Sequence, residues 1–382
     1  MSNRVDATIE RALAHQRLVG VVVLIAQDGE VLYQRAGGFA DREAQLPMRE
    51  NTVFRLSSLT KPIVSAAAIA LVERKLLDLN DTAVRWLPQF RPKTPLGGEA
   101  TITLRQLLTH TAALTYGFFE PDNGPYHRAG VSDGLAEAGL SIQEELTRLA
   151  SVPLVYAPGT AWGYSLGLDV LGEIMSRATR ASLPALVEEL VTIPLGMSDT
   201  GFAPRDLQRL ATPYVDGSPP RRMKDPDIVA FAPGSGIRFS PSRILDHRSF
   251  TSAGTGMVGT AIDFLSFLET LRAGGGAILT ADSVREMMSN QIGALRISVE
   301  ATPSWGFGFG GAVLMDPAMA QVPQGIGTWK WGGVYGHHWY VDSQNGLTLV
   351  ALSNTAIEGM LGEFVTELTE SVYGKTMRTS AH

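Results

Sequence analysis

The chain has no cysteine. Disulfides and thiol chemistry are thereby excluded, although the absence fits either redox environment. It also lacks any apolar run near the roughly 18 residues needed to span a bilayer. The opening residues, MSNRVDATIERALAHQ, scatter charge through a helix-like pattern. They do not contain the apolar stretch of about 7 to 15 residues that a secretion signal requires, so a cytoplasmic protein that enters no membrane is expected. Histidine is scarce, at seven residues. None stand at HExxH or comparable ligand spacing, so neither a protein-held metal nor another cofactor is expected. His337 and His338 are neighbours, and adjacent strand residues point to opposite faces. Positive charge is not in excess, because the formal net charge is −6. Nothing electrostatic draws the chain to nucleic acid or to an anionic membrane surface. A short basic run, Arg221-Arg222-Met223-Lys224, lies among prolines and aspartates and reads as a solvated loop. Internal repeats and low-complexity segments are also missing.

What is present is an ordinary globular composition, 45% hydrophobic and 18% charged, over 382 residues. That length accommodates two lobes with a site at their junction. After a first helix over about residues 3–17, VGVVVLIAQDGEVLYQRAGG reads as a hairpin, with Asp28-Gly29 suited to a tight turn that needs positive φ. The C-terminal third is again strand-like, with SWGFGFGGAVLM, TWKWGGV, HHWYVD and LTLVALSNT, the last two joined across Asn345-Gly346, before an amphipathic helix over about 358–373. Between these ends, helical periodicity recurs near 60–76, 103–112, 141–151, 166–179 and 182–192. Loops rich in Gly, Pro and Asp interrupt it at 116–135 and 213–242. The pattern predicts an α/β (α+β) protein, an antiparallel sheet built from both chain ends and flanked by terminal helices, with an all-helical lobe inserted. Residues 1–56 and 245–382 would form the first lobe and 57–244 the second.

Gly163-Tyr164-Ser165-Leu166-Gly167 matches the G-x-S-x-G of lipases and esterases. An α/β-hydrolase elbow, however, needs a buried strand running into the serine, and YAPGTAW is a Pro-Gly loop. A second serine lies in Ser58-Leu59-Thr60-Lys61, which opens the apolar segment IVSAAAIALVERK. On a helix, Ser58 and Lys61 share one face and can exchange a proton, while the first N–H groups of that helix welcome a developing oxyanion. Ser57, four residues from Lys61, also has helical spacing. Alone, S-x-x-K is equally a serine N-cap followed by a solvated lysine.

Its company decides otherwise. Phe54 to Pro62, Leu107-Leu108-Thr109-His110-Thr111-Ala112, Tyr156-Ala157-Pro158-Gly159 with Tyr164-Ser165, Pro194-Leu195-Gly196-Met197, Ser252-Ala253-Gly254-Thr255-Gly256 and Trp331-Gly332-Gly333 follow in order. In these motifs the chain resembles the serine β-lactamase and penicillin-binding-protein superfamily in its class C-like branch, and most of all the family VIII carboxylesterases. The resemblance implies a β-lactamase-like fold. It implies Ser58 as nucleophile, Lys61 as its partner and Tyr164 as the tyrosine of the family's Y-x-N motif. Either Lys61 or Tyr164 could be the base of that pair. It matches Trp331-Gly332-Gly333 to the W-x-G that the esterase branch carries in place of K-[TS]-G. That puts Val334 where the oxyanion N–H opposite Ser58 is expected, with Gly332 and Gly333 letting substrate approach the backbone. The register Lys330-Trp331-Gly332 would present Lys330 instead, since a one-residue slip exchanges faces.

Two departures bear on substrate. Leu166 stands where β-lactamases of the family have the Asn of Y-x-N, and Trp331 where they have a lysine, so apolar surface replaces polar recognition. The expected substrate is an apolar, short-chain carboxylic ester. A β-lactamase or D-Ala-D-Ala peptidase-like amide hydrolase, or an acyltransferase, would use the same scaffold. Tyr116 is the aromatic residue most expected to touch substrate, ahead of Trp162, Phe118 and Phe119, which serve equally as core. His110 is expected to brace a helix junction through a hydrogen bond.

Overall fold

The computed structural model describes residues 1–232, 234–299 and 303–374. Asp28 and Gly29 do take positive φ, 51° and 94°, and turn the strand Gly20–Gln27 into Glu30–Asp41. The first of these strands is buried at every position but Gln27, which is why it reads as a continuous apolar run and not as an alternation. Val21, Val23 and Ile25 face one core, with Val5, Ile9, Phe364 and Leu368. Val22, Leu24 and Ala26 face a second and larger core shared with Phe264 and Phe267.

The strand Gly20–Gln27 pairs antiparallel with Leu347–Ser353, from Val21 opposite Ser353 to Gln27 opposite Leu347. That pairing joins the chain ends into one eight-stranded sheet. Its order is Trp305–Phe307, Ala312–Leu314, Trp329–Gly333, His337–Asp342, Leu347–Ser353, Gly20–Gln27, Glu30–Asp41 and Leu46–Pro47, all neighbours antiparallel. The terminal helices Ser2–Ala14 and Glu363–Tyr373 cover one face, and Arg17 ties onto the second through Glu363 and Glu367. The helix Ala261–Arg272 and the mainly helical middle of the chain cover the other. The expected β-lactamase-like architecture is the one observed.

Several local expectations change. The last helix is two, Glu358–Leu361 and Glu363–Tyr373, because Gly362 is extended between them (φ −75°, ψ −179°). The Glu358 carboxylate folds back over this break to accept the Phe364 N–H at 3.1 Å. The segment near 182–192 is α-helical only over Leu183–Val187 and then widens to a π turn over Glu188–Thr192. The 213–242 loop holds short strands, including the hairpin Asp227–Ala232 with Ser235–Phe239. Arg221 and Arg222 are exposed, but as a short strand paired to Tyr214–Val215 and held by Asp227 and Asp41. Among the described residues no helix is long and apolar enough to cross a membrane.

Candidate active site

The short strand Phe54–Arg55 pairs with Val258–Gly259 and delivers the chain to a tight turn, Ser57–Leu59, that runs into the helix Thr60–Glu73. Ser57 is held at φ +45°, a left-handed conformation that costs a non-glycine residue energy and aims the next side chain. The helix is buried at twelve of its fourteen positions. Its alanine-rich, all-round apolar sequence is that of a helix through the core. Lys61 lies inside this helix with no exposure at all.

Two side chains converge on the Ser58 hydroxyl, and a third reaches one of them. Lys61 Nζ donates to Ser58 Oγ at 3.1 Å and to the Gly254 carbonyl at 2.9 Å, and Tyr164 Oη donates to Ser58 Oγ at 2.7 Å. Trp331 Nε1 donates in turn to Tyr164 Oη at 3.1 Å. Burial pushes the Lys61 amine down to about 7, against the opposing pull of the Asp169 charge. The same burial raises the Tyr164 phenol, in spite of its bonds to Ser58 and Trp331. A lysine near 7 is substantially neutral at neutral pH, which a solvated lysine is not. The carbonyl of Gly254 brings the Ser252–Gly256 motif into the site, and Asp169, unremarked in the sequence, organises that motif. Its carboxylate accepts from Ser252 Oγ at 2.8 Å and Gly254 N at 3.3 Å. The signal for Asp169 was a carboxylate within the otherwise apolar run Gly167–Leu171.

The hydroxyl opens into a cleft of about 550 Å³ bordered by Ser58, Tyr164, Trp331, Gly332 and Val334. That volume suits a small-molecule site. One wall is Phe118, Phe119 and Phe231, in mutual contact. The lining also includes Met360, Leu361 and Val365. Lys330 also borders the cleft, with Nζ 3.9 Å over the Trp305 ring, while Trp331 turns toward Tyr164. The ladder to Ala312–Leu314 ends at Lys330, and the two registers are not exclusive, since both side chains border the cleft. His337 and His338 diverge as expected of strand neighbours. His337 Nε2 donates to the Arg55 carbonyl at 2.8 Å, whereas His338 reaches the cleft wall, kept neutral by burial and by the Lys330 charge.

Leu166 and Tyr116, expected at the substrate, lie outside the cleft lining, as does Ser165 of the G-x-S-x-G stretch. Ser165 is fully buried with Oγ 3.2 Å from His110 Nδ1, behind Tyr164 and not at the cleft. Leu166 is 1% exposed and packs into the core at the start of the helix Gly167–Thr179, outside the cleft lining. Tyr116, also 1% exposed, stacks on Phe118 at 4.7 Å with Lys61 Nζ 5.3 Å above its ring, so it meets the lysine and not the cleft. The glycines of Trp331-Gly332-Gly333 clear protein neighbours. A Cβ on Gly333 would fall 2.6 Å from Ser57 Oγ, and one on Gly332 would fall 2.7 Å from Met360 Cγ. Gly333 therefore permits the strand to pack on the Ser57–Leu59 turn, which is a different reason for glycine than substrate approach.

A β-lactamase family profile matches residues 5–371. The chain is 47% identical to esterase EstB of Burkholderia gladioli over 98% of this chain and 96% of that one. It is 27% identical to a lovastatin esterase of Penicillium rubens over 90% of each. Among solved structures, EstCE1, described as a hydrolase with promiscuous acyltransferase activity, superposes with a TM-score of 0.93 at 42% identity, over 97% of this chain and 98% of that one. With the fold, the ordered motifs and these similarities in agreement, the chain belongs to the β-lactamase family.

Proposed function

We propose that this protein is a serine carboxylesterase that cleaves apolar, short-chain carboxylic esters through an acyl-enzyme on Ser58. One observation carries the assignment of residues: Lys61 Nζ and Tyr164 Oη both lie within 3.1 Å of a single serine hydroxyl that opens into an apolar-walled cleft. Ser58 Oγ attacks the ester carbonyl, forming the C–O bond as its proton passes to Lys61, the group that burial makes neutral near pH 7. The oxyanion is held by the N–H groups of Ser58 and Val334. Collapse of the tetrahedral species breaks the bond to the alcohol, which leaves with a proton relayed through Tyr164. Water, deprotonated by the same pair, then releases the acid and restores Ser58. Trp331 and Gly332 border the bound ester, and no cofactor takes part.

The site sits where an α/β lobe, residues 1–56 and 245–382, meets the helical lobe 57–244. Support for that division is the sheet, whose strands all come from the first set. Cytoplasmic residence belongs to the same proposal, and cell fractionation tests it.

A fluorophosphonate ester and intact-protein mass spectrometry test the assignment. The expected outcome is one adduct on the wild type and on Ser165→Ala, and none on Ser58→Ala. A label that persists in Ser58→Ala and vanishes in Ser165→Ala sinks it.

A further inference from the structure

His110 is fully buried and sits at φ +58°, a conformation that few residues other than glycine and asparagine accept without cost. Strain of this kind persists only where surrounding contacts enforce it. The contacts here bracket one residue. The His110 carbonyl accepts the Gly163 N–H at 2.9 Å, and His110 Nδ1 accepts the Ser165 N–H at 3.2 Å. Gly163 and Ser165 are the two neighbours of Tyr164. The imidazole also lies against the Tyr164 ring, with centroids 4.7 Å apart, and is itself packed edge-on by Trp162 at 6.0 Å and Phe307 at 5.2 Å.

The ring can hold this position only as a neutral acceptor. A backbone N–H pointing at Nδ1 requires that nitrogen to be unprotonated, which places the proton on Nε2. Burial, reinforced by the nearby Lys61 charge, keeps the second proton off. His110 is bonded to neither Ser58 nor Lys61 and does not itself border the cleft, so it does not exchange a proton with substrate.

We infer that His110 is a positioning residue for the reaction, a two-point clamp that fixes the backbone on both sides of Tyr164 and so holds its phenol 2.7 Å from Ser58 Oγ. Misplacement of a proton-transfer group by about 1 Å is enough to cost roughly a hundredfold in rate. The clamp explains why the strained left-handed residue is a histidine. The position needs a side-chain acceptor about three bonds from the backbone, aromatic bulk under the tyrosine, and no charge beside Lys61. It also gives the G-x-S-x-G stretch a physical purpose, because the Ser165 amide is one of the two points gripped.

The inference rests on the reading of Tyr164 proposed above, and its test separates the two. Wild type, His110→Ala, His110→Asn and Tyr164→Phe are compared for kcat, KM and the pH profile of kcat on p-nitrophenyl butyrate. Thermal melting reports the folded state of each. Asparagine tolerates the left-handed backbone and carries an acceptor of similar reach. His110→Ala is expected to lose kcat about a hundredfold, with KM within about threefold and a displaced pH profile. His110→Asn is expected to recover kcat to within about tenfold of wild type with the original profile. Unchanged kcat in His110→Ala, or equal losses in the Ala and Asn variants, overturns the clamp. If the Ala variant does not fold, His110→Asn decides alone, since a folded Asn variant with a hundredfold loss also overturns it. Wild-type kcat in Tyr164→Phe would bring down the reading of Tyr164 itself, and the clamp with it.

Discussion

Ser58 and Ser165 each stand at a helix start and each sit within hydrogen-bond reach of a nitrogenous side chain, yet their surroundings are opposite. Ser58 borders the cleft, and its hydroxyl meets a buried amine and a phenol. Ser165 is sealed, and its hydroxyl meets an imidazole that burial keeps neutral and that already accepts the Ser165 backbone N–H. The more recognisable motif therefore belongs to the less reactive environment. A serine becomes a nucleophile through a poised base, an oxyanion site and access to substrate together. Of these two serines, only Ser58 borders the cleft and meets a buried amine.

The comparison breaks most directly at the hydroxyls. Ser58→Ala is expected to lower kcat/KM for p-nitrophenyl butyrate by at least about 10⁴-fold, as loss of a nucleophile does, whereas Ser165→Ala stays within about tenfold. The reverse ranking would show that the G-x-S-x-G serine carries the chemistry. Next in size, Tyr164→Phe and Lys61→Met should each cost about 10²–10⁴ in kcat while both proteins stay folded by circular dichroism. Retention of activity in either would remove that side chain from proton transfer.

Because Lys61 is lowered to about 7, kcat/KM should rise about tenfold per pH unit up to about 7 and then level, as the amine loses its proton. The same shift has a sign for stability. Between about 7 and the ordinary lysine value the unfolded chain binds the extra proton and the folded chain does not, so this group makes stability increase with pH across that window and contributes no slope below it. Urea midpoints at pH 7 and 9, for wild type and Lys61→Met, measure this. A wild-type slope that survives the substitution would point to another group. The smallest effect concerns the indole. Trp331→Phe keeps an aromatic ring but removes the 3.1 Å donor to Tyr164, for an expected loss of kcat of roughly two- to tenfold, the range of one hydrogen bond. No change would make Trp331 a wall of the cleft and nothing more.

Much of the fold was legible because its signals are local. Asp28-Gly29 needs positive φ whatever lies around it, and the run Val21–Ala26 had to be covered on both faces. The last helix misled because periodicity runs smoothly through Gly362, and the interruption depends on Glu358 capping the second segment. The 213–242 segment misled because two-residue strands such as Tyr214–Val215 exist only by pairing, here with Thr355–Ala356 and with Arg221–Arg222. In the site, the aromatic wall was half visible. Phe118 and Phe119 lie beside Tyr116 in the sequence, but Phe231 reaches them from a hairpin more than a hundred residues away. Leu166 and Tyr116, expected at the substrate, are buried outside the cleft lining, and residue identity alone does not set exposure.

The sequence by itself put Ser58 and Lys61 about one turn apart, close enough to meet, because three residues along a helical backbone are nearly one turn wherever the helix lies. It determined the hairpin at Asp28-Gly29 and the core character of the Lys61 helix for the same reason. The tertiary structure decided what that pair can do. Tyr164 arrives from 106 residues away and Gly254 from 193. The descent of the Lys61 amine to about 7 follows from complete removal of water, which no spacing in the chain encodes. Bonding along the helix is a short-range matter, whereas burial and the meeting of distant residues are properties of the packed whole.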